Sequence, residues 1–175
     1  VRTADGSFDL FLERGSGSVY RFDKHGLLVS ETDEFGNVVA WERSPEGRLT
    51  RIADLSGTGR YVTVGWTTGG KVHTLTDSAS RTITYDYDPQ GRLVGVTDPA
   101  ARRTQYDYLR GRDSTALLTR ISDPWGRAIT DVTYDVADRT KTYTEQGRTY
   151  SYTYTASNRT TKSDDSGHST ENYFD

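Results

Sequence analysis

Hydrophobic and polar residues alternate in short segments along this chain. In the segment 149–155 three tyrosines alternate with Ser and Thr, which places the three rings on one side of an extended backbone. The segments 83–87 and 105–108 alternate in the same way. A period of two predicts half-buried β-strands, and the best helical stretch, 114–118, is too short to compete.

A second group of segments departs from the period of two. Apolar residues at positions 49 and 52 are three residues apart, and the same spacing occurs at 93 and 96 and at 118 and 121. One extra residue in a strand, a β-bulge, restores the alternation. We therefore expect a bulge in each of these strands, just after the preceding turn.

Short turn motifs separate the strands. Asp or Ser at the first position accepts backbone hydrogen bonds, Pro fixes φ at the second, and Gly adopts positive φ at the fourth. The pattern predicts that the first position needs a short hydrogen-bond acceptor but does not need a charge. All four prolines of the chain occupy a second position. The residues predicted to form structural turns are Asp23, Gly26, Asp33, Gly36, Pro45, Gly47, Asp54, Gly57, Asp88, Pro89, Gly91, Asp98, Asp123, Pro124 and Gly126.

Later turns match this motif only in part. They are predicted at 113–116, 135–138, 144–147, 155–158 and 164–167. Asn158 replaces Gly in one of them, because Asn tolerates the left-handed region. Residues 109–112 interrupt the pattern and predict a longer loop at one hairpin tip.

Two strands and two turns make one repeat. The aspartates at positions 33, 54, 77 and 98 are separated by 21, 23 and 21 residues. The sequence therefore predicts an all-β fold, an antiparallel meander of about 15 strands built from hairpin repeats. Residues 1–19 are expected to form a lead-in hairpin and residues 20–175 a repeat array that stops in mid-repeat.

Composition limits the classes of function. The chain has 33% hydrophobic residues and a mean hydropathy of −0.77, which predict a weak core. It has no cysteine, so disulfides, zinc–thiolate sites and thiol nucleophiles are excluded. A net charge of −3 argues against nucleic acid as a partner. No apolar run reaches membrane-spanning length, so membrane insertion is not expected.

Acidic and histidine side chains are the candidates for chemistry in this sequence. Asp86 and Asp88 could form a carboxylate pair, but the turn uses Asp88, which favours a structural role. His25, His73 and His168 have no His, Cys or Glu partner at a fixed spacing. No catalytic, cofactor-binding or metal-binding residue is therefore predicted.

Two weaker alternatives remain open. The segment 164–171 contains acids and His168, yet it lacks the residue order of a calcium loop and the strained elbow of a serine hydrolase. Tyrosines 85, 87, 106 and 108 could stack on carbohydrate. The favoured interpretation is a tyrosine ladder that packs across neighbouring strands.

The repeat resembles a known family. The segment YDYDPQGRLVGVTDPAA (85–101) is similar to the YD repeat of the Rhs and teneurin proteins, with weaker copies at 20–36 and 41–57 and a half-copy at 117–126. This resemblance implies a curved, spiralling β-sheet that winds into a hollow shell. In bacterial members the shell encloses a toxin domain from the C-terminal end of the same polypeptide, whereas the teneurins are cell-surface adhesion proteins.

The resemblance implies a non-enzymatic structural module, secreted or at the cell surface, with its export signal outside this sequence. Its expected partner is the remainder of the same polypeptide, including a C-terminal effector domain. The family's autoproteolytic aspartate site and toxin domain have no match here. The alternative is an extracellular adhesion or carbohydrate-binding strip that recognises a glycan or a surface receptor. Self-association through an exposed edge strand is a further expectation.

Overall fold

A computed structural model describes residues 4, 6–11, 17–112, 115–155 and 158–173. Within these ranges the regular elements are β-strands, and they follow one another in the sheet in the order of the sequence. Consecutive strands pair antiparallel. The predicted all-β meander of hairpin repeats is therefore confirmed, with sixteen strands in the described part where about 15 were expected.

The strands are β1 (Phe8–Phe11), β2 (Val19–Phe22), β3 (Leu28–Thr32), β4 (Val38–Arg43), β5 (Leu49–Asp54), β6 (Tyr61–Trp66), β7 (Val72–Asp77), β8 (Thr82–Tyr87), β9 (Leu93–Thr97), β10 (Arg103–Arg110), β11 (Ala116–Ser122), β12 (Ala128–Tyr134), β13 (Thr140–Glu145), β14 (Arg148–Tyr154), β15 (Arg159–Asp164) and β16 (Ser169–Tyr173).

The chain divides into two compact units, residues 1–84 and residues 85–175. At the start of the first unit, β1 pairs with β2, and the rings of Phe8 and Phe22 stack with their centroids 5.1 Å apart. The division into a lead-in hairpin at 1–19 and an array at 20–175 stays a prediction.

The two faces of the sheet differ in the first unit. Its apolar face carries a row of cross-strand neighbours, Val64, Leu75 and Ile83. Its hydroxyl face carries the adjacent row, Thr63, Thr76 and Thr82. The hydroxyls of Thr76 and Thr82 are 3.0 Å apart and hydrogen bond. Strict alternation along each strand separates the two chemistries.

The second unit repeats this division with different residues. Its tyrosine face carries the row Val132, Tyr143 and Tyr150. Its hydroxyl face carries the row Thr133, Thr142 and Ser151. The hydroxyls of Thr133 and Thr142 hydrogen bond at 2.6 Å. Both units therefore place aliphatic or aromatic residues on one side and small hydroxyl residues on the other.

The core is thin. Among the described residues Ala53, at 2% exposure, is the only buried hydrophobic residue. Most apolar strand residues are half-buried, because the same sheet supplies their cover through cross-strand neighbours. The hydrogen-bond ladder and nearest-neighbour contacts between hairpins therefore carry the stability, as in other repeat proteins.

The predicted bulges at 49–52 and 118–121 are confirmed. Arg43 pairs with Leu49 and Glu42 pairs with Arg51, which leaves Thr50 as the extra residue. The extra residue is the second residue of its strand in β5, so that bulge follows the turn closely, whereas in β11 it is Thr119, the fourth residue, because this strand begins earlier, at Ala116. The equivalent extra residues in other hairpins are Val29, His73, Thr119, Ile129 and Lys141.

The loop predicted at 109–112 is wrong in its first half. Leu109 and Arg110 belong to β10 and pair with Leu117 and Ala116. The additional residues lengthen both strands, because pairing satisfies backbone groups that a loop would leave to solvent. Ala116 therefore lies in a strand and not in a turn. The predicted turn residues 113 and 114 lie outside the described part of the chain.

The turn predicted at 144–147 is shifted. Glu145 pairs with Arg148, so the loop consists of two residues, Gln146 and Gly147. Their φ angles are 51° and 81°. Two consecutive positive φ angles define a type I′ turn, which matches the twist of the flanking strands better than a four-residue motif would.

Gly126 offers a test of the backbone requirement. Its φ is 78°, and a Cβ added there would meet no atom within 4 Å. Gly126→Val is expected to lower the free energy of unfolding by about 2 kcal/mol through the left-handed backbone alone. Gly126→Asn is the control, because Asn158 adopts a φ of 53° in this chain. Urea denaturation followed by circular dichroism measures both, and equal midpoints for the two variants would contradict this account.

Candidate functional site

The described residues supply no obvious centre for metal chemistry. Within them, no group of three or more His, Cys, Asp or Glu side chains is placed to hold a metal ion. His25 and His168 are exposed at hairpin tips, and His73 occupies a bulge. No helix in the described part is long and apolar enough to span a membrane.

The turn aspartates bind the backbone of their own hairpins. In the turn at Asp23, the Gly26 amide donates to the Asp23 carbonyl at 3.0 Å, and the Asp23 amide donates to the Leu27 carbonyl at 2.9 Å. Asp23 Oδ1 accepts from the amides of His25 and Leu27 at 2.8 and 2.9 Å. We call these two carboxylate–amide bonds the turn clamp. The loop is a type I turn followed by a residue in the left-handed region.

The turn clamp recurs along the chain. The same pair of carboxylate–amide bonds forms at Asp33, Asp77, Asp98, Asp123, Asp135 and Asp164. The turn at Asp54 is longer, since its amide donates to the carbonyl of Arg60. At Asp164 the clamp involves the amides of Ser166 and His168, so the segment 164–171 spends its first carboxylate on the turn.

Five turn aspartates also bind an arginine that sequence reasoning missed. The second carboxylate oxygen accepts from the guanidinium of the residue four positions later, with Nε–Oδ2 distances of 2.6 to 2.8 Å. The pairs are Asp77–Arg81, Asp88–Arg92, Asp98–Arg102, Asp123–Arg127 and Asp135–Arg139. A recurring Asp-x-x-x-Arg spacing is the signal that could have found them. The same turn bonds form at Ser44 and Thr67, so the prediction that the first position needs a short acceptor and not a charge stays a prediction.

These contacts keep the turn carboxylates ionised. The Arg102 guanidinium, followed by the Arg102 amide, holds the pKa of Asp98 below its ordinary value. Burial acts in the opposite direction on Asp88, but the amide and guanidinium of Arg92 outweigh it, and the pKa of Asp88 is also lowered. Carboxylates of this kind are poor proton donors near neutral pH.

Asp86 and Asp88 do not converge. Asp86 on β8 forms an ion pair with Arg103 on β10, two strands away, whereas Asp88 binds Arg92 in its own turn. A carboxylate pair for acid–base chemistry needs both groups to face one space. The two aspartates have separate partners. The contact of Asp86 joins two strands, and that of Asp88 stabilises its own turn.

A second recurring contact joins a hairpin to the one before it at four places. The last residue of a strand donates a hydrogen bond to the carbonyl of the residue that precedes a bulge in the previous hairpin. We call this contact the bulge clasp. Its members are Arg43 to Leu28 at 2.7 Å, Trp66 to Leu49 at 2.8 Å, Tyr134 to Leu118 at 2.6 Å and Tyr154 to Thr140 at 2.7 Å. Because a bulge disrupts the ladder locally, the clasp gives this carbonyl a donor from the next hairpin.

Arginines beside the turns pack on aromatic rings of the following hairpin. The Arg48 guanidinium lies 5.9 Å from the centre of the Trp66 ring, and Arg139 lies 4.3 Å from that of Tyr154. Arg92 lies 5.2 Å from the ring of Tyr108. Each arginine directly follows the turn residue with positive φ. One side chain can therefore bind its own turn aspartate and an aromatic ring of the following hairpin, as Arg92 and Arg139 do.

Known proteins share the repeat. The family model described as RHS Repeat matches residues 22–58, 66–103 and 87–112. No curated protein sequence matches this chain.

Solved structures share the fold. The crystal structure of TcdB2–TccC3–Cdc42 is 17% identical, covers 87% of this chain with a TM-score of 0.60, and is matched over 10% of its own length. The structure of TcdB2–TccC3 without its hypervariable C-terminal region is 17% identical and has a TM-score of 0.61. The match covers 86% of this chain and 10% of that one. The structure of the Tc holotoxin pore of Photorhabdus luminescens is 16% identical and has a TM-score of 0.60. The match covers 87% of this chain and 9% of that one. This chain thus spans about a tenth of each of those chains.

Proposed function

Because this chain belongs to the RHS-repeat family, we propose that it is a structural module, a segment of the wall of a toxin shell that encloses a linked effector domain. The observation that carries this proposal is that the recurring polar and aromatic side chains make their contacts within the sheet itself. Turn aspartates, arginines and clasp residues bind their own or the adjacent hairpin. Such contacts suit a wall built by adding hairpins.

The similar solved structures support the shell as the setting. Two of them contain TccC3 together with TcdB2, and one of these two lacks a hypervariable C-terminal region. By analogy, the partner of this chain is the remainder of its own polypeptide, with the effector on the C-terminal side. The module acts outside the cell that makes it, and no enzymatic activity belongs to this role. Self-association through an edge strand stays a prediction.

Protease protection tests enclosure. The product of the whole gene is digested with a broad-specificity protease, and the effector segment is followed by mass spectrometry. We expect this segment to resist digestion until denaturant unfolds the repeats. The matched control is the effector segment expressed without the repeats, which should be digested at once. Equal digestion rates in the two samples would contradict enclosure and leave the repeat fold unaffected.

A further inference from the structure

A cavity lies beside two hairpin tips of the first unit. Its volume is about 560 Å³. Small-molecule sites usually have volumes of about 300 to 1,000 Å³. Val39, Ile52 and Val62 line its floor, on the same face of the sheet as Val64. The charged residues of its rim belong to the turns and are Asp54, Arg60, Asp77 and Arg81.

The floor of this cavity is apolar surface that the sheet covers only in part. Val39, Ile52 and Val62 are all half-buried. Removing such surface from water is favourable in proportion to the area covered. A ligand with an apolar body would therefore gain from packing on these three side chains.

The turn at Asp54 differs from the turns in which an arginine is paired. In five turns the arginine follows the aspartate by four residues and binds its second carboxylate oxygen. Arg60 follows Asp54 by six residues. The Thr58 hydroxyl donates to Asp54 Oδ2 at 2.5 Å, and the Ser56 amide donates to Oδ1 at 2.8 Å. Both oxygens of Asp54 therefore have donors without the arginine.

Arg60 is left as a cation without an ion pair among the residues that the structure describes. The turn uses only its backbone, since its carbonyl accepts from the Asp54 amide at 2.9 Å and its amide donates to the Thr58 hydroxyl at 3.2 Å. Its charge acts on Asp54 at longer range. Arg60 is exposed and lines the cavity, where its guanidinium offers a planar fork of donors that matches a carboxylate.

The other charges of the rim favour a ligand with a single negative charge. Asp77 is paired with Arg81 at 2.5 Å. Hydrogen bonds from Thr58 and Ser56 lower the pKa of Asp54, so this carboxyl is ionised near neutral pH. A dianion beside Asp54 would meet about twice the repulsion that a monoanion meets, because the Coulomb energy scales with the charge.

We propose that this cavity binds a small monocarboxylate with a branched aliphatic or aromatic body, whose carboxylate pairs with Arg60 while its body packs on Ile52 and Val62. This assignment goes beyond the structural role and does not depend on the enclosure of an effector. A neutral apolar molecule would leave Arg60 without a partner, and acetate would leave the floor uncovered. The cavity therefore selects a ligand that has both groups.

Nuclear magnetic resonance titration of the ¹⁵N-labelled 175-residue chain tests the proposal. The probes are isovalerate and phenylacetate. The comparisons are acetate, the neutral phenylacetamide, the dianion phenyl phosphate and the dipeptide N-acetylglycylleucine, which carries its carboxylate at a peptide terminus. We expect at least one of the two probes to shift the amide signals of Ile52, Arg60 and Val62 in a saturable way. Each comparison should bind more weakly.

Arg60→Gln is the diagnostic variant, because it removes the charge and keeps the backbone bonds of the turn. It should weaken binding of the better probe by about tenfold. The matched control is Lys24→Gln, which removes one positive charge from an exposed residue that does not line the cavity. This control should leave the affinity unchanged.

Any of four results on the unaltered chain would overturn the proposal. These are no saturable shift with either probe, shifts that map outside the cavity, binding of phenylacetamide or phenyl phosphate as tight as that of phenylacetate, or tighter binding of the dipeptide. Equal affinities of the Arg60→Gln and Lys24→Gln variants would also overturn it. The results on the unaltered chain decide the question even if Arg60→Gln proves unstable.

Discussion

Acidification below about pH 4 is expected to destabilise this chain steeply, because its turn aspartates must take up protons that their folded-state contacts oppose. Contacts within the turns lower the pKa of nine aspartates from the ordinary value of 3.8. They are Asp23, Asp33, Asp54, Asp77, Asp88, Asp98, Asp123, Asp135 and Asp164. The effect of each is modest, but all act in the same direction.

The direction of this pH dependence follows from the lowered pKa values of the turn aspartates. Below 3.8 the unfolded chain binds protons that the folded chain still excludes, so stability falls as the pH falls through the folded-state pKa values. Above this window the contribution is fully present and does not change with pH. Stability attributable to these groups should therefore be constant between about pH 5 and 7 and decline from about pH 4 downward.

Thermal unfolding followed by circular dichroism at constant ionic strength measures this dependence. The matched control combines Asp77→Asn, Asp98→Asn and Asp164→Asn, which keep a short acceptor and remove the titration. This variant should be less stable near neutral pH and should lose less stability on acidification. A melting temperature of the unaltered chain that is unchanged down to about pH 2.5 would contradict the role of the turn clamps.

Trp66→Ala is expected to lower the free energy of unfolding by about 3 kcal/mol, through lost packing and a lost hydrogen bond to the Leu49 carbonyl. Trp66 lies half-buried at the end of β6, with its indole N–H 2.8 Å from that carbonyl and Arg48 over its ring. Trp66→Phe keeps an aromatic ring and removes the donor, so it should cost about 1 kcal/mol.

Trp125 provides the matched control for this substitution. It is 70% exposed at a hairpin tip and donates no clasp, so Trp125→Ala should change the stability by no more than about 0.5 kcal/mol. Urea denaturation followed by far-ultraviolet circular dichroism avoids dependence on the tryptophan signal. Equal losses for Trp66→Ala and Trp125→Ala would show that the bulge clasp adds nothing to ordinary ring packing.

Local features of the fold could be predicted from the sequence. A turn such as 88–91 is determined by its own residues, because Asp, Pro and Gly act within four positions of one another. The bulge at Thr50 could be inferred from the spacing of Leu49 and Ile52, because only an extra residue returns both to one face.

Contacts between hairpins could not be predicted in the same way. The acceptor for Trp66 is a backbone carbonyl, that of Leu49, and no side chain marks it in the sequence. The spacing Asp-x-x-x-Arg was visible but ambiguous, since an arginine after a turn glycine can equally extend into solvent. At 109–110 the residues fit either a loop or longer strands, and only the pairing with β11 decides between them.

The central claim is that this chain forms part of a wall around a linked effector, and imaging the product of the whole gene by cryo-electron microscopy tests it most directly. The account predicts a hollow particle in which residues 1–175 form part of the β-sheet wall, with density for the effector segment inside. A map in which these residues form a separate strip, with the effector segment outside any enclosure, would contradict it.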